Sequence, residues 1–173
     1  TNIALFGVDS REGSLDKEAH SDTILIASIN NKTKDVKLVS VYRDTYLDNT
    51  NGEYRKATEC YYFGGPSRAI SMLNKNLDLD ITDFVTVAFT AVADVVDALG
   101  GIDIDVQEDE IVHLNNYQVE GSQVTGKEII PVEYAGLQTL NGLQALSNCR
   151  NRYTERLDFK RTEKQQHVLH KIL

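Results

Sequence analysis

Two nearly unbroken apolar runs, Asn2–Val8 and Thr23–Ile29, constrain the fold of this chain more than any other feature. A strand with one wet face alternates apolar and polar residues. A run that is apolar at successive positions is instead buried on both faces. The expected frame is therefore a sheet lying between helices. Val36–Val41 supplies a third strand, and the polar link Asn30–Asp35 before it reads as a hairpin turn.

The rest of the chain alternates in kind. Gly52–Arg55 reads as a polar loop, and Lys56–Phe63 as a short helix ended by Gly64-Gly65. Pro66 suits a first helical turn, and Ala69, Ile70, Leu73 and Leu77 then form a helical stripe. Phe84–Phe89 reads as a strand. Thr90 caps a helix Ala91–Leu99 that Gly100-Gly101 stops. Ile102–Val106 alternates as a half-exposed strand. Residues 107–136 are polar and hold Gly121, Gly126 and Gly136, the pattern of an excursion carrying a hairpin. Asn141 caps a helix through Ser147, and Asp158 caps a last helix from Phe159. On that last helix Arg161, Gln165, Val168 and Ile172 share a face. The predicted class is α/β: a three-layer sandwich with a central mixed β-sheet and helices on both faces.

At 173 residues, with no linker or repeat, residues 1–173 are expected to form one domain with a real core. No apolar run approaches ~18 residues, so nothing in the sequence reads as a membrane span. The chain opens directly on a strand and closes on Leu173 inside an uncapped helical pattern. It is therefore expected to be excised from a longer protein. Cys60 and Cys149 fit no zinc spacing. They are either buried small hydrophobes or, in an extracellular domain, a pair.

Charge is unevenly spread. Residues 150–171 hold seven basic and three acidic residues, a local +4 in a chain of net −8, which leaves about −12 elsewhere. Arginines concentrated in one segment of an acidic protein suit a small dense anion, not a nucleic acid. Arg150 and Arg152, two apart, would share a face on an extended strand, with Arg161 just beyond the next loop. Read alone they would be surface salt bridges to Glu155, Asp158 and Glu163. Arg43-Asp44 follows a buried strand directly and lies at the sheet's edge. Asp9 ends the first strand and Asp22 opens the second. If those strands are neighbours, two carboxylates meet at one rim and suit Mg²⁺.

Taken jointly and in order, these segments resemble the LytR–CpsA–Psr family of bacterial cell-envelope proteins. The resemblance runs through Gly7-Val8-Asp9-Ser10-Arg11, Ser21-Asp22-Thr23, Arg43-Asp44-Thr45 and Lys56 to Gly64-Gly65. It continues through Asp97-Ala98-Leu99-Gly100-Gly101-Ile102 and Leu140–Arg152, then Asp158-Phe159-Lys160-Arg161 and Gln165. Tyr42 stands where that family usually has proline, Lys160 where it has glycine, and Cys149 where it has an apolar residue. The resemblance implies an extracytoplasmic enzyme held by an N-terminal membrane helix. Such an enzyme moves a glycopolymer from a polyprenyl diphosphate lipid onto peptidoglycan, forming a phosphodiester. It implies Asp9 and Asp22 as Mg²⁺ ligands. Arg43, Arg150, Arg152 and Arg161, with Lys56, would grip the diphosphate, and Asp158 and Gln165 would lie close to it. Asp44 or Asp158 would serve as base toward a sugar hydroxyl. The same groups would also suit a polyprenyl diphosphate-lipid diphosphatase, or a non-catalytic lipid-phosphate-binding or regulatory module, since members of this family are often labelled transcriptional regulators or attenuators.

Overall fold

The computed structural model describes residues 1–8, 15, 18–151 and 163–168, which fall into two units, Thr1–Ala88 and Phe89–Leu173. The first unit holds β1 (Asn2–Val8), β2 (Ser21–Ile29), β3 (Val36–Ser40), β4 (Tyr46–Asp48), β5 (Tyr54–Lys56), α1 (Ala57–Leu77) and β6 (Asp83–Ala88). Its main sheet has the order β3-β2-β1-β6. The β1–β2 and β2–β3 pairs are antiparallel, and β1–β6 is parallel. Parallel neighbours need a long crossover, and α1 lies on that connection.

The sequence dictates how this sheet packs. Ala4, Phe6 and Val8 of β1 and Ile24 and Ile26 of β2 join Ala57, Cys60, Tyr61, Ala69, Met72 and Leu73 of α1 in one core. The alternate residues Leu25 and Ala27 are buried as well, so β2 is dry on both faces, as its unbroken apolarity requires. Phe6 meets Tyr61 edge to face, with ring centroids 5.2 Å apart. Tyr61 can be taken so deep because its hydroxyl bonds the Leu15 carbonyl and Thr86 Oγ1. Inside α1 the backbone leaves helical geometry at Gly64 and Gly65, and Gly65 has φ 63°, a left-handed value that favours glycine. The expected break between two helical arms therefore stands where the glycines put it. The polar stretch 52–55 is partly strand: β5 pairs with β4 in a short hairpin, Tyr46 opposite Lys56 and Asp48 opposite Tyr54.

The second unit holds α2 (Phe89–Ala98), β7 (Ile102–Val106), a single 3-10 turn (Glu108–Glu110), α3 (Ile111–Thr125), β8 (Gly136–Leu140), α4 (Gly142–Arg150) and a helical stretch at 163–168. β7 and β8 pair antiparallel, and β7 alternates as expected, with Ile102, Ile104 and Val106 buried. Those residues join Val96, Leu114, Leu140, Ala145, Cys149 and Val168 in this unit's core. α4 starts on a reciprocal cap: Asn141 Oδ1 accepts Gln144 N–H at 2.9 Å, and Gln144 Oε1 accepts Asn141 N–H at 2.9 Å. Asp97 Oδ1 accepts a further first-turn donor, Gly142 N–H, at 2.6 Å.

Two expectations are corrected here. Residues 107–136 carry a helix, α3, instead of a hairpin. Its buried positions are Leu114, Gln118 and Gly121, while Val112, Val119 and Val124 are exposed. The stripe that packs thus mixes an apolar side chain with an amide and a glycine, and the three valines face water. The Gln118 amide nitrogen donates to Asn115 Oδ1 and Ile130 O, both at 3.0 Å. Asn115 and Gln144 pin the same 130–132 backbone. Arg150, expected on a strand, is the last residue of α4. Taken together, the α/β expectation with a central mixed sheet and helices holds.

Candidate functional site

One group of candidate residues is built where β2 begins and β3 ends. The β1–β2 register runs evenly to Gly7 opposite Thr23, then shifts so that Val8 faces Ser21. The bulge leaves Asp22 out of the pairing with β1. Bulges of this kind re-aim a side chain at a sheet's rim. The β2–β3 ladder is continued by Val41 N–H to Ile24 O at 2.9 Å, and the chain then turns through Arg43 and Asp44. That turn is fastened to the start of α1. Thr58 N–H bonds Arg43 O at 3.0 Å and Ala57 N–H bonds Thr45 O at 2.9 Å. The orphan donors of the helix N-terminus therefore go to the loop's carbonyls, since Lys56 supplies no side-chain cap.

This scaffold delivers four charged side chains in alternating order. The Arg43 guanidinium pairs directly with Asp22. Arg43 Nε lies 3.9 Å from Asp44 Oδ2, and Lys56 Nζ lies 2.7 Å from Asp44 Oδ1. Asp22 and Arg43 are shielded, with side chains 15% and 24% exposed, whereas Asp44 and Lys56 are open to solvent. A guanidinium has several N–H donors in a planar fork. One is engaged by Asp22, and Asp44 at 3.9 Å is beyond hydrogen-bond reach of Nε.

Further residues of this unit were not picked out from the sequence. Arg55 pairs with Glu53 at 3.4 Å and Glu59 at 3.8 Å, and stands 5.3 Å from the centre of the Phe63 ring. His20 stacks on Tyr62 at 4.9 Å. The i, i+4 spacing of Arg55 and Glu59 was the legible signal.

The second unit holds Arg150 and Gln165. Arg150 sits at the C-terminal end of α4, where a cation is favoured by the helix dipole. Its Nη2 lies 3.3 Å from Glu120 Oε2, and its guanidinium lies 5.7 Å from the centre of the Tyr117 ring. Both partners stand on α3, three residues apart, and were hidden by reading that stretch as a hairpin. Gln165 is buried in the 163–168 stretch. Beside it in sequence, Lys164 Nζ pairs with buried Glu110 at 2.7 Å and ties this stretch to the 3-10 turn. Cys60 and Cys149 are both free and buried, each in the core of its own unit. Burial pushes the Cys60 thiol up to about 11, against the lowering influence of Arg68. Burial pushes Cys149 up to about 12, against that of Lys164. Neither is a nucleophile at neutral pH.

Asp9, Arg152, Asp158 and Arg161 lie outside the described residues. Among the described residues no three His, Cys, Asp or Glu side chains gather as a metal cluster. Asp22, turned out by the bulge, offers the hard oxygen chemistry that Mg²⁺ takes.

Comparison with known proteins adds a family. The model described as the LytR_cpsA_psr family matches residues 1–173. The polyisoprenyl-teichoic acid–peptidoglycan teichoic acid transferase TagT of Bacillus subtilis (strain 168) is 30% identical, over 99% of this chain and 51% of the relative. The chain thus spans about half the length of the curated relatives it matches. Among solved structures, TagT bound to LI-WTA has a TM-score of 0.78 at 29% identity, over 99% of this chain and 62% of that one. The LytR-CPS2A-psr family protein YwtF (TagT) with bound octaprenyl pyrophosphate lipid has a TM-score of 0.75 at 27% identity, with the same coverage.

Proposed function

The chain belongs to the LytR–CpsA–Psr family, and we propose that it transfers a glycopolymer from a polyprenyl diphosphate carrier onto peptidoglycan. The observation that carries this reading is the alternating group Asp22, Arg43, Asp44 and Lys56. It is an anion site that carries its own counter-charges. Phosphoryl transfer asks a protein mainly for positioning and charge neutralisation, and this group supplies both.

Each residue has a separate task in this reading. Arg43 offers its remaining guanidinium donors to phosphate oxygens, fixed in direction by Asp22. Lys56, on the adjoining hairpin, adds a mobile point charge. Arg150, Arg152, Arg161 and Gln165 are assigned further diphosphate contacts by the family resemblance alone. The sugar hydroxyl of the acceptor attacks the phosphorus that bears the glycopolymer. The bond from that phosphorus to the lipid phosphate oxygen breaks, polyprenyl phosphate leaves, and a phosphodiester remains. The hydroxyl proton passes to a carboxylate, Asp44 or Asp158. Asp22 with Asp9 would hold Mg²⁺, which supplies further neutralisation of phosphate charge.

Its relatives support this reading: they are teichoic acid transferases, and TagT has been solved with an octaprenyl pyrophosphate lipid bound. A polyprenyl tail keeps its diphosphate at a bilayer surface. We therefore place the reaction at the extracytoplasmic face, where peptidoglycan lies, with attachment by an N-terminal membrane helix. Among the described residues no helix is long and apolar enough to cross a membrane.

The test is to incubate the full-length protein with a polyprenyl diphosphate-linked polymer and peptidoglycan. Polymer on the peptidoglycan is the expected result. Phosphate released to water with no polymer transferred would make the protein a diphosphatase. Binding of the lipid without turnover would make it a binding module.

A further inference from the structure

The β4/β5 hairpin presents a surface that phosphate chemistry does not use. Directly opposed residues of a strand pair share a face, so Tyr46 and Lys56 lie side by side, and Tyr54 follows on the same face. The Tyr46 and Tyr54 rings approach diagonally, with centroids 5.8 Å apart and planes inclined by 30°. Both stay open: Tyr46 is 68% exposed and Tyr54 55%. A ring pair whose task was to close the hairpin would bury more of its faces. Two rigid aromatic side chains held in water, beside a cation of the anion site, are better matched to a ligand than to the fold.

We propose that this face is a sugar-stacking subsite, in which Tyr46 and Tyr54 take the apolar C–H face of a pyranose ring next to a phosphate held at Lys56. The inference rests on the transferase reading above. The chemistry is specific to sugars. An aromatic face is negative and attracts the weakly positive C–H edge of a pyranose, while the phenolic hydroxyls reach the ring's own hydroxyls. Two χ angles per tyrosine cost little entropy on ordering. A polyprenyl tail would instead call for a continuous apolar slot, and the open tyrosines beside Lys56 do not form one. The geometry also fits a sugar phosphate. Lys56 and Tyr46 are direct cross-strand neighbours, their Cβ atoms separated by about 4.5–5.5 Å in such pairs. The ring next to a phosphate at Lys56 therefore falls over Tyr46. Two sources offer that ring, the glycopolymer of the donor and the glycan strand of the acceptor.

The experiment measures binding of the full-length protein to three ligands. They are a polyprenyl diphosphate without sugar, the same lipid carrying a short glycopolymer, and a peptidoglycan glycan fragment. Tyr46→Ala and Tyr54→Ala are expected to bind the bare lipid as the parent does. Each should lose about tenfold toward a glycan-bearing ligand, the scale of one aromatic stacking contact. Tyr46→Phe and Tyr54→Phe keep the stacking face and should bind nearly as the parent. Loss confined to the glycosylated lipid assigns the face to the donor, and loss confined to the peptidoglycan fragment assigns it to the acceptor. Unchanged affinity for both glycan ligands, or equal loss toward all three, overturns the subsite. Failure of the unaltered protein to bind the bare lipid is a different result and counts against the transferase reading itself.

Discussion

Replacing Arg43 with alanine separates what this residue does for the ligand from what it does for the fold. On the ligand side, in the proposed reaction, it would remove a guanidinium aimed at oxygens that gain charge during transfer. Such a donor is worth about 2–4 kcal/mol, or ~30-fold to a thousandfold in rate. On the fold side it strands Asp22, whose side chain is only 15% exposed. Breaking a fully buried pair costs about 3–5 kcal/mol, and an exposed one about 0–1 kcal/mol. Arg43 keeps 24% exposure, so solvent screens part of the loss. The expected destabilisation is then about 1–2 kcal/mol, and the melting temperature should fall by ~2–8 °C. Arg43→Lys keeps the charge but not the fork, and should retain more activity than Arg43→Ala. The double variant Arg43→Ala, Asp22→Asn no longer strands a charge. It should recover most of the lost melting temperature and none of the lost transfer. The assay is polymer transfer from a polyprenyl diphosphate donor, with calorimetry in parallel. A folded Arg43→Ala protein that transfers at nearly the parental rate would refute the assignment.

Other perturbations test the framework. Burial alone would raise the Asp97 carboxyl, but hydrogen bonds from Lys127 and Gly142 N–H outweigh it and hold it below the ordinary 3.8. A carboxyl depressed in the folded state stabilises above its unfolded value and loses that contribution as pH falls through the folded one. Asp97→Asn should therefore lower the melting temperature at pH 7 and flatten its decline below about pH 4, as followed by circular dichroism. Gly142→Ala would place a Cβ against the Ala93 carbonyl of α2. Overpacking against backbone costs about 1–3 kcal/mol, so a drop of ~2–12 °C is expected, and an unchanged melting curve would contradict the close approach. Both thiols should resist alkylation at pH 8 in the folded protein and react once it is denatured. Rapid native labelling of either would contradict their burial.

The sequence reading succeeded wherever burial follows apolarity. The dry strand β2, the alternation of β7 and the Gly64-Gly65 break were all legible, because each rests on one physical requirement stated by adjacent residues. The Asn141 cap was legible for the same reason. It failed at α3, where the packed stripe is Leu114, Gln118 and Gly121 and the valines are outside. Amide hydrogen bonds to Ile130 and Val132 replace apolar contact there, and no hydrophobic period reports them. The β4/β5 hairpin failed similarly, because its exposed side chains carry no pattern and its pairing is made by backbone. In the site, the pairing of β1 with β2 was open to inference. The bulge that turns Asp22 toward Arg43 was not, because a register shift leaves no mark in composition.

If the proposed reading holds, the alternation of charge at this site decides which anions it can hold. Asp22, Arg43, Asp44 and Lys56 carry no net formal charge between them, so no bare positive field draws in anions at large. An incoming group must displace Asp44 from Lys56, and Asp44 is tethered beside it at high effective concentration. A single carboxylate or monophosphate gains about what it breaks. A diphosphate can engage Arg43 and Lys56 together through separate oxygens, so its gain exceeds the loss of one internal pair. Asp44 is thus a built-in competitor as well as a candidate base, and the two roles predict opposite effects of one substitution. Asp44→Asn should strengthen binding of inorganic phosphate by about twofold to fivefold, the worth of an open ion pair, while slowing polymer transfer. Calorimetric titration with phosphate, beside the transfer assay, reads both. Phosphate binding that stays the same or weakens in the folded variant would show that Asp44 does not compete for the site. The preference for a diphosphate at this group would fall with it.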